Sequence, residues 1–93
     1  MIPLFCFAMF VLYILYSEKL KRYYVGYTND LQRRIAEHNR IKGKYTDTGI
    51  PWILVYSENY ADKKSAMNRE RFIKSRKSKQ FIIDLITENK LSR

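Results

Sequence analysis

The chain has 93 residues, enough for one domain with a modest core, and its 46% hydrophobic content excludes an intrinsically disordered protein. Its 18 lysines and arginines against 9 acidic residues give a formal net charge of +9 at pH 7. A domain this basic is attracted to polyanions, most commonly nucleic acid, and the alternative is charge that serves only solubility.

The N-terminal run from Ile2 to Tyr16 is almost wholly apolar. A membrane helix needs about 20 such residues, and a signal peptide needs a basic start and a small-residue cleavage site, so neither is expected here. We interpret residues 1–9 as an apolar extension, with Met9 as the alternative start of the protein. A membrane-seeking or partner-binding tail is a further alternative.

The single cysteine, Cys6, excludes an internal disulfide, and the sequence has no cysteine–histidine cluster that could bind zinc. Both features are typical of a reducing cytoplasm, which is the expected location. We therefore expect a cytoplasmic protein with no membrane partner.

The next residues predict a hairpin followed by a helix. Residues 10–17 and 23–27 are rich in β-branched and aromatic side chains, which favour strands, and residues 18–22 form a polar connection between them. The run Thr28-Asn29-Asp30 provides capping chemistry for the start of a helix over about 30–40.

A third strand and two helices complete the chain. A basic, glycine-containing loop over residues 41–51 leads to a strand that begins after Pro51. Asp62 and Ser78 are candidate N-caps for helices over about 63–76 and 79–89. The predicted order is ββαβαα, with a domain over residues 10–88 and a tail over 89–93.

The first helix places two polar side chains on its apolar face. Leu31, Arg34, Ile35 and His38 recur at positions i, i+3, i+4 and i+7, which share one side of a helix. Arg34 and His38 are therefore candidate functional residues. The alternatives are an arginine running along the edge of the core and an ordinary helix-end histidine with a backbone partner.

The second helix places a carboxylate in the same kind of position. Glu70 lies in a stripe with Ala66, Met67 and Ile73. Burying a carboxylate is costly unless it is paired or binds a metal, so Glu70 is a candidate metal ligand. The alternative is an ion pair with Lys74, one turn further along a wet surface.

These residues carry a resemblance to a known family. Tyr13 ends a Val-Leu-Tyr triplet, and Tyr24 begins a Tyr-Val-Gly triplet eleven positions on. Together with Arg34, His38 and Glu70, this arrangement resembles the GIY-YIG nuclease superfamily over about residues 10–86, and especially its short, stand-alone, uncharacterised bacterial members. The first motif lacks its glycine and isoleucine, and the asparagine that some members place after the glutamate has no assigned counterpart here.

The resemblance implies a fold and a chemistry. The fold is an α/β protein of the α+β type, in which helices flank a small three-stranded antiparallel sheet. Tyr13 and Tyr24 are then the candidate bases that activate a water, and Arg34 contacts the phosphate. His38 either completes that contact or relays a proton, and Glu70 holds one Mg²⁺ or Mn²⁺. Because the chain has eight tyrosines, ordinary strand aromatics are the alternative for the first two.

Substrate binding is expected from six basic residues and one tyrosine outside this set. The candidate phosphate contacts are Lys42, Lys44, Tyr45, Lys74, Arg76, Lys77 and Lys79. The expected function is a metal-dependent endonuclease that hydrolyses phosphodiester bonds, with DNA favoured over RNA, in repair or recombination. The alternative is a nucleic-acid-binding module of the same fold that does not cleave, and a partner protein is an expected source of specificity.

Overall fold

The structure is a computed structural model that describes residues 9–91, with side chains through residue 89. The predictions for residues 1–8 and for residues 92–93 lie outside the described residues. The elements are β1 (Phe10–Ser17), β2 (Arg22–Thr28), α1 (Leu31–His38), a 3-10 helix (Tyr45–Gly49), β3 (Trp52–Tyr60), α2 (Lys63–Ser75) and α3 (Lys79–Leu91). The predicted ββαβαα order is confirmed, and α3 extends two residues beyond its expected end.

The three strands form one antiparallel sheet in the order β2-β1-β3, which confirms the predicted fold class. In the β1–β2 ladder, Tyr13 pairs with Gly26 and Leu15 pairs with Tyr24. The β1–β3 register shifts at one point, where the partners of consecutive β1 residues are Tyr56 and Leu54. Val55 is the extra residue of this bulge.

Alternation along the central strand β1 gives the sheet two buried faces. Leu12 and Ile14 point to one face and pack with Ile73 of α2 and with residues of α3. Tyr13 and Leu15 point to the other face. The second face is completed by Trp52, Leu20, Leu31, Ile35 and Ile50. The helix α1 therefore covers one side of β1, and α2 and α3 cover the other.

Side-chain caps are found at all three predicted helix starts, and in the first helix the capping residue of the predicted run is Asp30. Asp30 accepts a hydrogen bond from the backbone N–H of Arg33 at 3.2 Å, and Asp62 accepts one from Ser65 at 3.0 Å. The Ser78 hydroxyl accepts from the backbone N–H of Phe81 at 3.0 Å.

Within residues 9–91, no helix combines the length and the apolar character that a membrane crossing requires.

The first helix is shorter than predicted, because the residue after it is committed to a tertiary contact. Asn39 accepts a hydrogen bond from the backbone N–H of Trp52 at 2.6 Å and donates one to the carbonyl oxygen of Trp52 at 3.0 Å. The helix therefore ends at His38 and not near residue 40. This contact also ties the end of α1 to the start of β3.

The basic loop after α1 contains a 3-10 helix, Tyr45–Gly49, that its composition did not predict. Asp47 organises the loop, since its Oδ2 accepts from the backbone N–H groups of Lys42, Gly43 and Lys44 at 2.8, 2.5 and 3.1 Å. The peptide between Ile50 and Pro51 is cis.

A carboxylate at the far end of the sheet joins β3 to α2. Glu58 accepts hydrogen bonds from the Arg69 guanidinium at 3.0 and 3.1 Å, and from the hydroxyls of Tyr56 and Tyr60 at 2.5 and 2.6 Å. Burial alone would raise the pKa of Glu58, but these donors outweigh it and hold that pKa below its usual value. Arg69 immediately precedes Glu70, so this cluster fixes the helix that carries the candidate metal ligand.

We expect Arg69→Ala to lower the free energy of unfolding by about 1–3 kcal/mol, because it leaves a half-buried carboxylate without its charged donor. Arg71→Ala is the matched control, since Arg71 lies exposed on the same helix. Urea denaturation of both variants measures the difference. Equal midpoints for the two variants would show that the Glu58 cluster adds no stability.

Candidate active site

Tyr13 lies directly over the backbone of Gly26, its partner across the β1–β2 ladder. The Tyr13 side chain is only 2% exposed. A Cβ atom at position 26 would lie 2.6 Å from the Tyr13 hydroxyl oxygen and 2.8 Å from Cζ. The ring therefore occupies the space that any other residue would fill, which explains a glycine at the end of the Tyr-Val-Gly triplet.

The two motif tyrosines are brought together by this register. Tyr24 pairs with Leu15, two residues from Tyr13 on the same face, so the two phenols are diagonal neighbours. Their rings are nearly parallel, with centroids 6.3 Å apart and an interplanar angle of 16°. Tyr24 is 37% exposed while Tyr13 is buried, so only Tyr24 offers its ring to solvent.

His38 completes the aromatic cluster from the end of α1. Its Nε2 lies 3.3 Å from the Tyr13 hydroxyl oxygen. The rings of His38 and Tyr24 are in an edge-to-face arrangement, with their centroids 4.4 Å apart. Burial lowers the pKa of His38, and the charges of Arg34 and Lys42 lower it further against the opposing effect of Glu37. His38 is therefore neutral at pH 7.

The Tyr13 hydroxyl keeps its proton in this cluster. Burial raises the pKa of Tyr13, Tyr24 and Glu70 raise it further, and Arg34 opposes them. Tyr13 thus keeps its proton, and we assign the hydrogen bond as Tyr13 O–H to Nε2 of His38, with the imidazole proton on Nδ1. Tyr13 orients His38 and is itself shielded from solvent.

Arg34 presents an unsatisfied donor beside this cluster. Its Nη1 lies 3.4 Å from Glu37, but its Nε is buried and has no hydrogen-bond partner within the described part of the chain. Buried donors without partners are rare in folded proteins, and one with a guanidinium fork suits an oxyanion such as a phosphate.

Glu70 is close enough to Tyr13 for its charge to raise the pKa of that phenol. The carboxylate is 18% exposed and forms an ion pair with Lys74 at 3.0 Å, as the alternative reading of the sequence predicted. Among the described residues, no group of three or more histidine, cysteine or acidic side chains could hold a metal ion. A single carboxylate still fits Mg²⁺, which commonly binds to one or two carboxylates and completes its shell with waters and substrate phosphates.

A cavity of about 340 Å³, which we call the site pocket, opens beside Tyr24, Arg34 and His38, whereas the predicted catalytic residues Tyr13 and Glu70 do not line it. It is lined by Tyr24, Arg34, Glu37, His38, Arg40, Lys42, Lys44 and Thr46. Three predicted catalytic residues and two predicted phosphate contacts therefore share one pocket. Arg40 and Thr46 were not predicted, and the run of cations over residues 40–44 was the signal that could have indicated Arg40.

The other predicted phosphate contacts lie outside the site pocket. Lys74, Lys77 and Lys79 line a separate cavity that also contacts Tyr24. The guanidinium of Arg76 lies over the rings of two phenylalanines, and Tyr45 is exposed on the 3-10 helix.

Within the site pocket, the ammonium of Lys42 is already engaged. It donates to the carbonyl oxygens of Glu37 and Arg40 at 2.8 Å each, so Lys42 supports the loop as well as lining the pocket. Lys44 is exposed and has no comparable carbonyl contact among the described residues.

Comparison with known proteins shows the family of this chain. A family model described as the GIY-YIG catalytic domain matches residues 9–82. A UPF0213 protein of Streptococcus pneumoniae serotype 4 is 46% identical over 59 residues, which are 62% of this chain and 60% of that protein. The UPF0213 protein YazA of Bacillus subtilis is 42% identical over 65 residues, 67% of this chain and 66% of that protein. The match thus spans about 60% of the length of the first of these relatives.

A solved structure shows the same fold. The solution NMR structure of the UPF0213 protein BH0048 from Bacillus halodurans is 36% identical, with a TM-score of 0.50. The likeness covers 80% of this chain and 82% of that one.

We expect Gly26→Ala to destabilise the protein by about 1–3 kcal/mol, because the new methyl group overlaps the Tyr13 ring. Tyr13→Phe in the same chain removes the nearest atom, the hydroxyl oxygen at 2.6 Å, and should restore part of the loss. Thermal unfolding of the single and double variants measures both effects. An unchanged melting temperature in Gly26→Ala would contradict the described packing.

The imidazole of His38 should titrate below its usual value of about 6.5. As His38 is the only histidine, NMR resolves its titration without assignment. The unfolded chain takes up this proton at a higher pH than the folded chain, so stability is complete above about pH 6.5 and falls as the pH drops towards the folded pKa. Arg34→Gln removes a charge that lowers the pKa of His38, so it should raise the midpoint of the His38 titration. The exposed control Lys64→Gln should leave that midpoint unchanged. A His38 midpoint above 6.5 in the unsubstituted protein would contradict the lowered pKa.

Proposed function

Since this chain belongs to the GIY-YIG family, whose catalytic-domain model it matches over residues 9–82, we propose that it is a metal-dependent endonuclease that hydrolyses phosphodiester bonds in DNA. The observation that carries the proposal is the site pocket, in which Tyr24, Arg34 and His38 line one cavity. The net charge of +9 supports a polyanionic substrate. We place its action in the cytoplasm, in DNA repair or recombination.

Arg34 is proposed to bind the phosphate that is cleaved. The Arg34 side chain is 40% exposed and lines the site pocket, and its guanidinium carries donors that match two phosphate oxygens at once. As the attacking water adds to phosphorus, negative charge grows on these oxygens. A fixed donor aimed at that charge stabilises the transition state without reorganisation.

Tyr24 is proposed to face the attacking water. Tyr13 is proposed to orient His38 and not to contact the water. Tyr24 lines the site pocket and is 37% exposed, whereas Tyr13 is 2% exposed and its hydroxyl is occupied by His38. In this arrangement the side-chain oxygen of Tyr24 is the acceptor for the proton that the water loses as it forms its bond to phosphorus. His38, held in one tautomer by Tyr13, packs against the edge of the Tyr24 ring and fixes its position.

Glu70 is proposed to hold one Mg²⁺ or Mn²⁺. When bound, such an ion neutralises charge on the phosphate and on the departing oxygen. Neighbouring residues of α2 hold Glu70 in position, because Arg69 anchors the helix through Glu58 and Ile73 packs the next turn into the core.

Lysines around the site are proposed to bind the DNA backbone without reading sequence. Lys44 lines the site pocket, and Lys77 and Lys79 line the neighbouring cavity. Ammonium groups supply point charges to phosphates, which favours binding by charge and shape with weak sequence preference. A partner protein is the proposed source of further specificity.

A nucleic-acid-binding module that does not cleave is the second candidate. The ion pair of Glu70 with Lys74, at 3.0 Å, favours it, because this pair neutralises the only carboxylate proposed to bind the metal. The two candidates share the fold and the basic surface and differ in whether Glu70 exchanges Lys74 for a divalent cation.

The test is Mg²⁺-dependent nicking of plasmid and of branched DNA by the full chain. Arg34→Ala should lower the rate by about 10²–10³-fold, the loss typical for removing one donor to a developing oxyanion. Glu70→Gln should lower it at least as far, since the amide carries no charge to attract the ion. EDTA should abolish nicking by the unsubstituted protein.

Exposed residues on the same helices or on α3 provide the controls. Arg33→Ala removes an arginine next to Arg34, and Glu88→Gln removes a carboxylate on α3, and both should keep full activity. DNA binding without nicking across Mg²⁺, Mn²⁺ and Ca²⁺ would reject the nuclease and leave the binding module. Equal nicking by the Glu70 and Glu88 variants would remove Glu70 from the metal site.

A further inference from the structure

A second cavity adjoins the site pocket and has a different character. It has a volume of about 410 Å³, within the range of about 300–1,000 Å³ typical of ligand pockets, and lies between the start of β2 and the junction of α2 with α3. Its apolar lining includes Val25, Ile73 and Ile82. We call this cavity the junction groove.

Cations surround this apolar lining. The five that line the groove are Lys21, Arg22, Lys74, Lys77 and Lys79. Lys21 and Lys74 are paired with acidic residues, and Lys79 donates to a backbone carbonyl at 3.1 Å. No ion pair within the described residues involves Arg22 or Lys77, so these two remain available to an anionic ligand.

The junction groove and the site pocket meet at one residue. Tyr24 lies on the edge strand β2 and lines both cavities, so a strand that passes around this edge contacts the two cavities in turn. Successive phosphates of a nucleic acid strand would find Arg34 on one side of Tyr24 and Lys77 on the other.

The combination of an apolar interior and a basic rim favours one class of ligand. A base-paired strand presents phosphates and sugars to a protein surface, and charge alone would satisfy it. An unpaired nucleotide also presents the faces of its base, which proteins bind on apolar and aromatic side chains within positively charged grooves. Tyr23 and Ile82, which line the groove and are only partly buried, offer such a surface, and phosphates would not need it.

We propose that the junction groove binds the base of an unpaired nucleotide next to the phosphate in the site pocket. The preferred substrate is then DNA with a single-stranded segment beside the cleaved bond, such as a flap or an overhang. This position relative to the cleaved bond rests on the proposed nuclease function, but binding of the unpaired base does not require cleavage.

The test measures binding of the full chain to labelled DNA in EDTA, so that no cleavage occurs. One probe is a duplex with an overhang of about six thymidines, within the usual site size of single-strand binders of about 4–16 nucleotides. The second probe replaces the thymidines with abasic residues and keeps every phosphate. We expect the first probe to bind roughly tenfold more tightly, because stacking of bases adds to the charge. Equal affinities would overturn the proposal, since the groove would then respond to phosphates alone.

A pair of variants locates the effect. Lys77→Asn removes a free cation from the groove rim, and asparagine tolerates the positive φ of 47° at this position. Lys64→Asn makes the same change at an exposed lysine of α2 that lines none of the three cavities. Lys77→Asn should weaken binding of the overhang probe several-fold more than binding of a blunt duplex. Equal losses in both variants would contradict a specific role of the groove.

Photo-crosslinking locates the unpaired base on the protein independently of the affinity measurements. An iodouracil at the first unpaired base should crosslink to the segment around Tyr23, which lines the junction groove but not the site pocket. Crosslinks confined to the 3-10 helix or to α1 would overturn the proposal. A base preference with a crosslink at Tyr23 and no nicking in Mg²⁺ would uphold the groove and reject only the nuclease.

RNA overhangs of the same length form a parallel arm. The groove as proposed contacts the base and the phosphates, so an RNA overhang should bind with similar affinity. An abasic RNA overhang should lose affinity to the same extent as an abasic DNA overhang. If removing the bases leaves the affinity unchanged for both DNA and RNA, the groove does not bind an unpaired base.

Discussion

The register of β1 against β2 is the constraint from which the candidate site follows. With Tyr13 opposite Gly26, the buried phenol lies over a residue without a side chain, and Tyr24 becomes its diagonal neighbour on the same face. A slip of one residue would turn Tyr24 to the opposite face and place a side chain under the Tyr13 ring. The aromatic cluster with His38, and with it the wall of the site pocket, depends on this single pairing.

The sequence was informative about the fold where local chemistry decides the structure. Strands rich in β-branched and aromatic residues and the caps at Asp30, Asp62 and Ser78 were predicted, because each depends on residues close in the chain. The end of α1 and the 3-10 helix were not. They depend on Asn39 reaching the backbone of Trp52 and on one carboxylate gathering three amides, which are contacts set by tertiary structure.

The candidate site was predictable as a set of residues and not as an arrangement. Helical periodicity placed Arg34 and His38 on a face with apolar anchors, and the structure puts both at the site pocket. No pattern could show that Tyr13 is sealed from solvent while Tyr24 is exposed, because that difference arises from packing against α1 and Gly26. The unequal environments of the two phenols are what divide their proposed roles.

The contact between Glu70 and Lys74 has a consequence for both cavities. A cation that binds Oε2 of Glu70 must displace the ammonium, since the two positive charges compete for the same oxygen. Lys74 also lines the junction groove, so its release would add a free charge to that rim. Occupancy of the two neighbouring sites is then thermodynamically linked: each ligand strengthens the binding of the other by the same factor.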